Sequence, residues 1–295
     1  MISPCNYGAH LKNKKMKKLL VLTDFTPNAS YAEVAALHLA VKLGYSILLY
    51  HTLPYIPFIP SDSGGPYAAE TVGILFGASK ERLMQEADKL REITVMTPVK
   101  AVNIQEKSGE GNLGDVINEL TADPEIEMVI MGGRSGGALE HIFSGSDTNA
   151  VISKARRPVL IIPAHVAWHI PRKVIFATDF GINDIKAVSY LQELSLRLQF
   201  TLHIVHMVHH GEVLTEIGAE VAFREYLDEQ QLQYTQVSAG NVHTGLRAYC
   251  DEQGAHLLAM AHHQHSFVSR LLGHSETMAL INDQTLAVLV FPPGF

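Results

Sequence analysis

The sequence predicts an α/β fold made of two tandem Rossmann-like domains, each a five-stranded parallel sheet with helices on both faces. Three observations predict it. First, the chain contains itself twice: Lys18-Leu19-Leu20-Val21-Leu22-Thr23-Asp24-Phe25 recurs as Lys173-Val174-Ile175-Phe176-Ala177-Thr178-Asp179-Phe180, 155 residues on. Second, the spacing falls to 129 towards the end of each copy. There it carries Met128-Val129-Ile130-Met131 onto Leu257-Leu258-Ala259-Met260, and Pro158-Val159-Leu160-Ile161-Ile162-Pro163 onto Ala287-Val288-Leu289-Val290-Phe291-Pro292. A repeat this long is a duplicated domain, not a solenoid unit. Third, short apolar runs alternate with longer amphipathic segments, as parallel strands covered on both faces require.

In the first copy, Leu19–Thr23 reads as a buried strand. Ser30–Leu43 reads as a helix, with Ala32, Ala35, Ala36, Leu39, Ala40 and Leu43 at helical spacing; Gly44 is its stop. Ile47–Tyr50 is the second strand, Glu81–Ile93 a helix and Val99–Ile104 the third strand. Leu113–Leu120 (helix), Met128–Met131 (strand), Asp147–Ser153 (helix) and Val159–Ile162 (strand) follow. The second copy repeats the order with strands at Val174–Ala177, Leu202–His206, Tyr234–Val237, Leu257–Met260 and Ala287–Phe291. Its helices include Val221–Gln230 and Thr244–Glu252.

These elements place the first domain at residues 18–163, a linker at 164–171 and a second, shorter domain at 172–295. Residues 1–17 read as a disordered leader, with Met16 as the expected true start. Trp168, the single tryptophan, reads as a plug between the domains. The difference in spacing puts extra sequence in the first copy, mostly between Leu53 and Thr71. Its Pro54, Pro57, Pro60, Gly64, Gly65 and Pro66 predict a long loop over the sheet's edge.

The net charge of −7 argues against a nucleic-acid partner, which would need a basic footprint. No apolar run approaches the roughly 20 residues that span a bilayer, so no membrane partner is expected. The leader lacks the apolar stretch of a signal peptide. The two cysteines give no disulfide framework, and a reducing, cytoplasmic location is expected. Cys250 reads as a packing residue.

Ligands of parallel α/β sheets bind at the carboxyl ends of the strands, at the point where strand order reverses. Two elements of the first copy converge there: Asp24, and the small-residue segment from Gly132 to Thr148. Small residues let backbone approach an anion. Gly145-Ser146 opens a helix whose free N–H groups and dipole favour phosphate. Ser146 and Thr148 add hydroxyls, Arg134 adds charge, and Asp24 is an acceptor for a ribose hydroxyl or an adenine amine. The plainer alternative is that Gly145-Ser146 only caps a helix and the glycines only make a turn.

On these residues the chain resembles the universal stress protein family in its tandem form, over residues 18–163 and 172–292. Members of that family have a buried first strand ending in Asp. After the fourth strand they carry Gly-x-x-Gly, nine residues, then Gly-Ser/Thr, and a last strand opening with Pro-Val. Asp24, Gly132, Gly145, Ser146 and Pro158-Val159 fit that pattern. Ser135 stands where the second glycine belongs, unless Gly133 serves instead. The resemblance implies ATP, with magnesium, held by this loop and by Asp24, and a dimer built through the last-strand edge. The duplication then forms a pseudodimer within one chain, and a homodimer remains an expectation. In the second copy Asp179 remains. Ala261 and Gln264 occupy the loop-glycine positions, and His274 replaces Gly145. This copy is expected to bind no nucleotide.

Ten of the sixteen histidines lie between His203 and His274. His206, His262, His263 and His265 come from two strand ends that the family's strand order brings together. They are candidate ligands for zinc or a similar transition metal. The alternative is polar histidines filling a vestigial cleft. His51 and His206 occupy equivalent positions and read as inherited strand-end residues.

The expected function is a cytoplasmic, regulatory stress-response protein that binds an adenine nucleotide in its first copy. The rivals are an interaction module without nucleotide, a weak nucleotide hydrolase using Asp147 or His141, and a metal-binding stress protein. No catalytic residue is assigned.

Overall fold

The structure is a computed structural model. It describes residues 16–55, 67–95, 101–133, 146–164, 168–181, 183–209, 218–262 and 286–295. In the first half the elements are β1 (Lys18–Leu22), α1 (Pro27–Leu43), β2 (Ser46–Leu53), α2 (Tyr67–Val95), β3 (Ile104–Glu110), α3 (Leu113–Leu120), β4 (Ile126–Gly132), α4 (Ser146–Lys154) and β5 (Val159–Ile162). In the second they are β6 (Lys173–Thr178), α5 (Asp184–Leu198), β7 (Thr201–His209), α6 (Gly218–Glu229), β8 (Gln233–Ala239), α7 (Val242–Gln253), β9 (Leu257–Ala261) and β10 (Ala287–Phe291).

The ten strands form one sheet in the order β3-β2-β1-β4-β5-β10-β9-β6-β7-β8. Every pairing is parallel except at the middle. There β5 and β10 run antiparallel, with Val159 opposite Val290 and Ile161 opposite Val288. Each half therefore supplies five parallel strands, and the last strands of the two halves join them.

Alternation along each strand sorts the core into two layers. Leu19 and Val21 of β1 point to one face, with Leu160 and Ile162 of β5 and Leu289 and Phe291 of β10. That face is covered by α1, α2, α5 and α6, through residues such as Ala36, Leu83, Leu191 and Phe223. Leu20 and Leu22 point to the other face, with Ile161 and Val288, under Ile117 of α3, Val151 of α4 and Leu246 of α7. Trp168 is buried in the first layer. Cys250 is buried in the second, where burial pushes its thiol up to about 12.

Helix α1 shows how the local sequence sets the element. Thr26 caps it in an extended conformation, Pro27 enters its first turn, and Gly44 ends it at φ +68, its N–H donating to Ala40 O. A left-handed residue at this point suits glycine. The alanine stripe of α1 permits close packing on the sheet. Across the halves, Arg197 of α5 donates to Leu43 O and to the Tyr45 hydroxyl, its guanidinium 4.7 Å from the Tyr45 ring centre.

Two expectations need correction. The third strand does not cover Ala101–Asn103 of the expected Val99–Ile104, and Val99 and Lys100 lie outside the described residues. The strand begins at Ile104 and runs to Glu110, pairing Ile47 with Ile104 and Leu53 with Glu110. As an edge strand it buries only Ile104 fully, so the apolar-run criterion passed over it. The helix expected at Glu81–Ile93 begins at Tyr67. The last residues of the stretch expected to be loop, Tyr67 to Thr71, are therefore helical.

Candidate functional site

The strand order reverses between β1 and β4, and a cavity of about 410 Å³ opens at their carboxyl ends. It is framed by the β1–α1 turn, the end of β2, the start of α3, the end of β4 and the start of α4.

The β1–α1 turn is tightly specified. The Phe25 N–H donates to Thr23 Oγ1 at 3.1 Å, and Phe25 sits at φ +64. A bulky side chain rarely adopts that conformation, so the surrounding structure must hold it. Asp24 Oδ1 accepts from the Thr26 N–H at 3.0 Å and from the Thr26 hydroxyl at 2.6 Å. The exposed Asp24 carboxylate is thereby fixed at the cavity edge, as an Asx turn fixes it. His51, at the end of β2, lies with Nδ1 2.7 Å from Thr23 O. A carbonyl only accepts, so the imidazole donates from Nδ1. Its ring centre is 4.4 Å from that of Phe25 at 39°, and Arg82 of α2 lies 4.2 Å from the Phe25 ring centre.

Beneath the turn stands Glu33 of α1, 2 % exposed and hydrogen-bonded by the Thr23 side chain. Desolvation raises its pKa above the usual carboxylate value; the Thr23 bond opposes this, and Glu86 adds repulsion.

The facing wall carries the glycine segment. A Cβ on Gly132 would come within 2.5 Å of Asn28 O and 2.7 Å of Asn28 C. Gly132 thus lets the first turn of α1 close against β4. The Gly133 N–H donates to Ile162 O at 2.7 Å. Asp147, in the first turn of α4, lines the cavity; Ser146 is exposed at that helix start, and Thr148 is buried and does not line it. Arg134 and Gly145 lie outside the described residues, as does Ser135. Gly111 (φ +136) and Asn112, which caps α3 by accepting from the Gly114 N–H at 3.0 Å, complete the rim. Asp24 and Asp147 are the charged side chains among the described lining residues.

Sequence reasoning did not single out Thr26, Asn28, Gly111 or Asn112, and it gave His51 no role. A signal existed: Gly111-Asn112 recurs as Gly240-Asn241, and His51 as His206, at the two repeat spacings.

The second half repeats the turn. Phe180 sits at φ +59, and its N–H donates to Thr178 Oγ1 at 3.0 Å. His206 Nδ1 is 2.8 Å from Thr178 O, with its ring centre 4.4 Å from Phe180 at 39°. The surroundings differ. Phe223 and Tyr234 flank Phe180 at 5.8 and 6.4 Å. The buried carboxylate is Asp184, which accepts from the Thr178 hydroxyl at 2.5 Å and the Gly181 N–H at 3.1 Å.

The histidine metal site finds no support here. His206 commits Nδ1 to a carbonyl, and no group of three or more His, Cys, Asp or Glu suited to a metal occurs among the described residues. His263 and His265 lie outside them, as do Gln264 and His274. His262 is described, and its N–H donates to Phe291 O.

The fold and cavity define a duplicated, doubly wound α/β protein with its first cleft at a switch point. The family model of the universal stress protein family matches residues 15–163 and again 171–292, and the chain belongs to that family. Universal stress protein Slr1230 of Synechocystis sp. is 25% identical over 301 residues, covering 94% of this chain and 100% of the relative. A universal stress protein of Thermus aquaticus is 28% identical over 150 residues, covering 50% of this chain and 98% of its own. Among solved structures, a universal stress protein from Archaeoglobus fulgidus superposes with a TM-score of 0.64 at 17% identity, over 93% of this chain and 96% of that one. No helix among the described residues is long and apolar enough to cross a membrane.

Proposed function

We propose that the chain is a cytoplasmic, regulatory stress-response protein that binds an adenine nucleotide, ATP with magnesium, in the cleft of its first half. The observation that carries this reading is the cavity of about 410 Å³ at the point where strand order reverses. That is where doubly wound sheets hold nucleotides, and the volume falls within the range of small-molecule sites. Asp24, fixed by Thr26, orients the nucleoside. The start of α4 receives the phosphates through its free N–H groups and the Ser146 hydroxyl. Gly145 joins them by family resemblance and Arg134 by its charge, while Thr148, buried off the cavity, does not; Gly132 keeps the strand end close to α1. With Asp24 and Asp147 on the cavity, a polyphosphate needs a divalent cation to offset carboxylate repulsion.

The second half serves as the pseudodimer partner, a reading supported by the β5–β10 pairing. Isothermal titration of nucleotide-stripped protein with ATP and magnesium tests the proposal. One site per chain is expected. Two sites would restore the second cleft, and no heat at any protein concentration would leave an interaction module in its place.

A further inference from the structure

We propose that His51 is the positioning residue of the first cleft, acting on the ligand through the Thr23-Asp24-Phe25 turn. The inference rests on the nucleotide reading above for its ligand and on independent geometry for its mechanism.

The β1–α1 turn asks for a conformation that phenylalanine avoids. Phe25 at φ +64 persists only where the surrounding structure offsets the cost of that conformation. Four contacts do so, one of them Arg82 over the ring. The Phe25 N–H is taken by Thr23 Oγ1, the Thr23 carbonyl by His51 Nδ1, and the Phe25 ring by the His51 ring. His51 provides two of the four, from a neighbouring strand whose register with β1 is fixed, Leu22 opposite Tyr50. Asp24 lies between the two residues that His51 grips. Its carboxylate direction follows from the turn, since Asp24 bonds forward, to Thr26. Releasing the clamp lets Phe25 leave the left-handed region and turns Asp24 away from the cavity.

The second half gives the control. His206 makes the same contacts with Thr178 and Phe180: 2.8 Å against 2.7 Å, and 4.4 Å at 39° in both. Loss of His206 therefore carries a similar structural cost without touching the first cleft. That separates positioning from general stability.

The test is a set of three variants, His51→Ala, His51→Asn and His206→Ala, each titrated with ATP and magnesium after its thermal midpoint is measured. Asparagine places an amide nitrogen the same number of bonds from Cα as Nδ1, so it can restore the donation to Thr23 O. His51→Ala is expected to weaken binding by about tenfold or more, His51→Asn to recover part of it, and His206→Ala to match wild type. Equal binding by wild type and His51→Ala, or equal losses for His51→Ala and His206→Ala, overturns the proposal. If wild type binds no nucleotide, the nucleotide reading fails, and the clamp is read from amide hydrogen exchange instead. His51→Ala must then speed exchange at Phe25 and Thr26 and leave Phe180 unchanged. Unchanged exchange at Phe25 overturns the clamp itself.

Discussion

The two halves share a turn and differ in what surrounds it. Thr23-Asp24-Phe25 and Thr178-Asp179-Phe180 have the same left-handed phenylalanine and the same histidine clamp. Beneath the first stands Glu33, ten residues on; beneath the second stands Asp184, six residues on, at a position that is Ala29 in the first half. Each half has found its own carboxylate for the same threonine hydroxyl. The turn is set by strand pairing and persists, while its support is set by helix packing and drifts.

The start of the helix also differs. Helix α1 begins at Pro27 and crowds Gly132, whereas α5 begins two residues later in the alignment, and Ala261 replaces that glycine. Four substitutions test this contrast.

The largest effect belongs to the sheet core. Phe176 occupies the position of Val21, and both are fully buried. Phe176→Ala should cost about 3–5 kcal/mol and Val21→Ala about 2 kcal/mol, measured by denaturant unfolding. Equal costs would mean that the halves are filled alike.

Next comes Gly132→Ala, expected to cost about 1–3 kcal/mol because the new methyl meets α1 backbone, which yields less easily than a side-chain tip. A neutral result would show that α1 shifts as α5 has.

Smaller again is Glu33→Gln. The folded pKa of Glu33 is raised by burial, so folding favours the protonated form. Its favourable contribution is complete below the ordinary value of 4.5 and is lost as pH rises through the higher folded value. A glutamine at this position is neutral throughout. The variant should gain on wild type at neutral pH, with the gain shrinking away as pH falls to the ordinary value of 4.5. A difference that does not change with pH would place the Glu33 charge outside the balance.

Much of this was legible in the sequence. Strands that are buried on both faces, such as β4, β5, β9 and β10, announce themselves as apolar runs, and Gly44 marks the end of α1. The edge strand β3 does not, because only Ile104 of Ile104–Glu110 is fully buried. Asp24 was visible through the repeat. Glu33 was not, because a carboxylate within an alanine-rich helix reads as the solvent face until the sheet is placed against it. The histidine clamp was visible as two aligned residues, but its action depends on strand register and a positive φ. Neither is written in local composition.

The central claim is that the functional cleft lies in the first half. Its most direct test is a matched pair, Asp24→Asn and Asp179→Asn, titrated with ATP and magnesium. Asp24→Asn should weaken binding by about tenfold or more, the scale of one lost hydrogen bond to a charged group, while Asp179→Asn should bind as wild type does. The reverse order, or equal losses in both, would contradict the assignment.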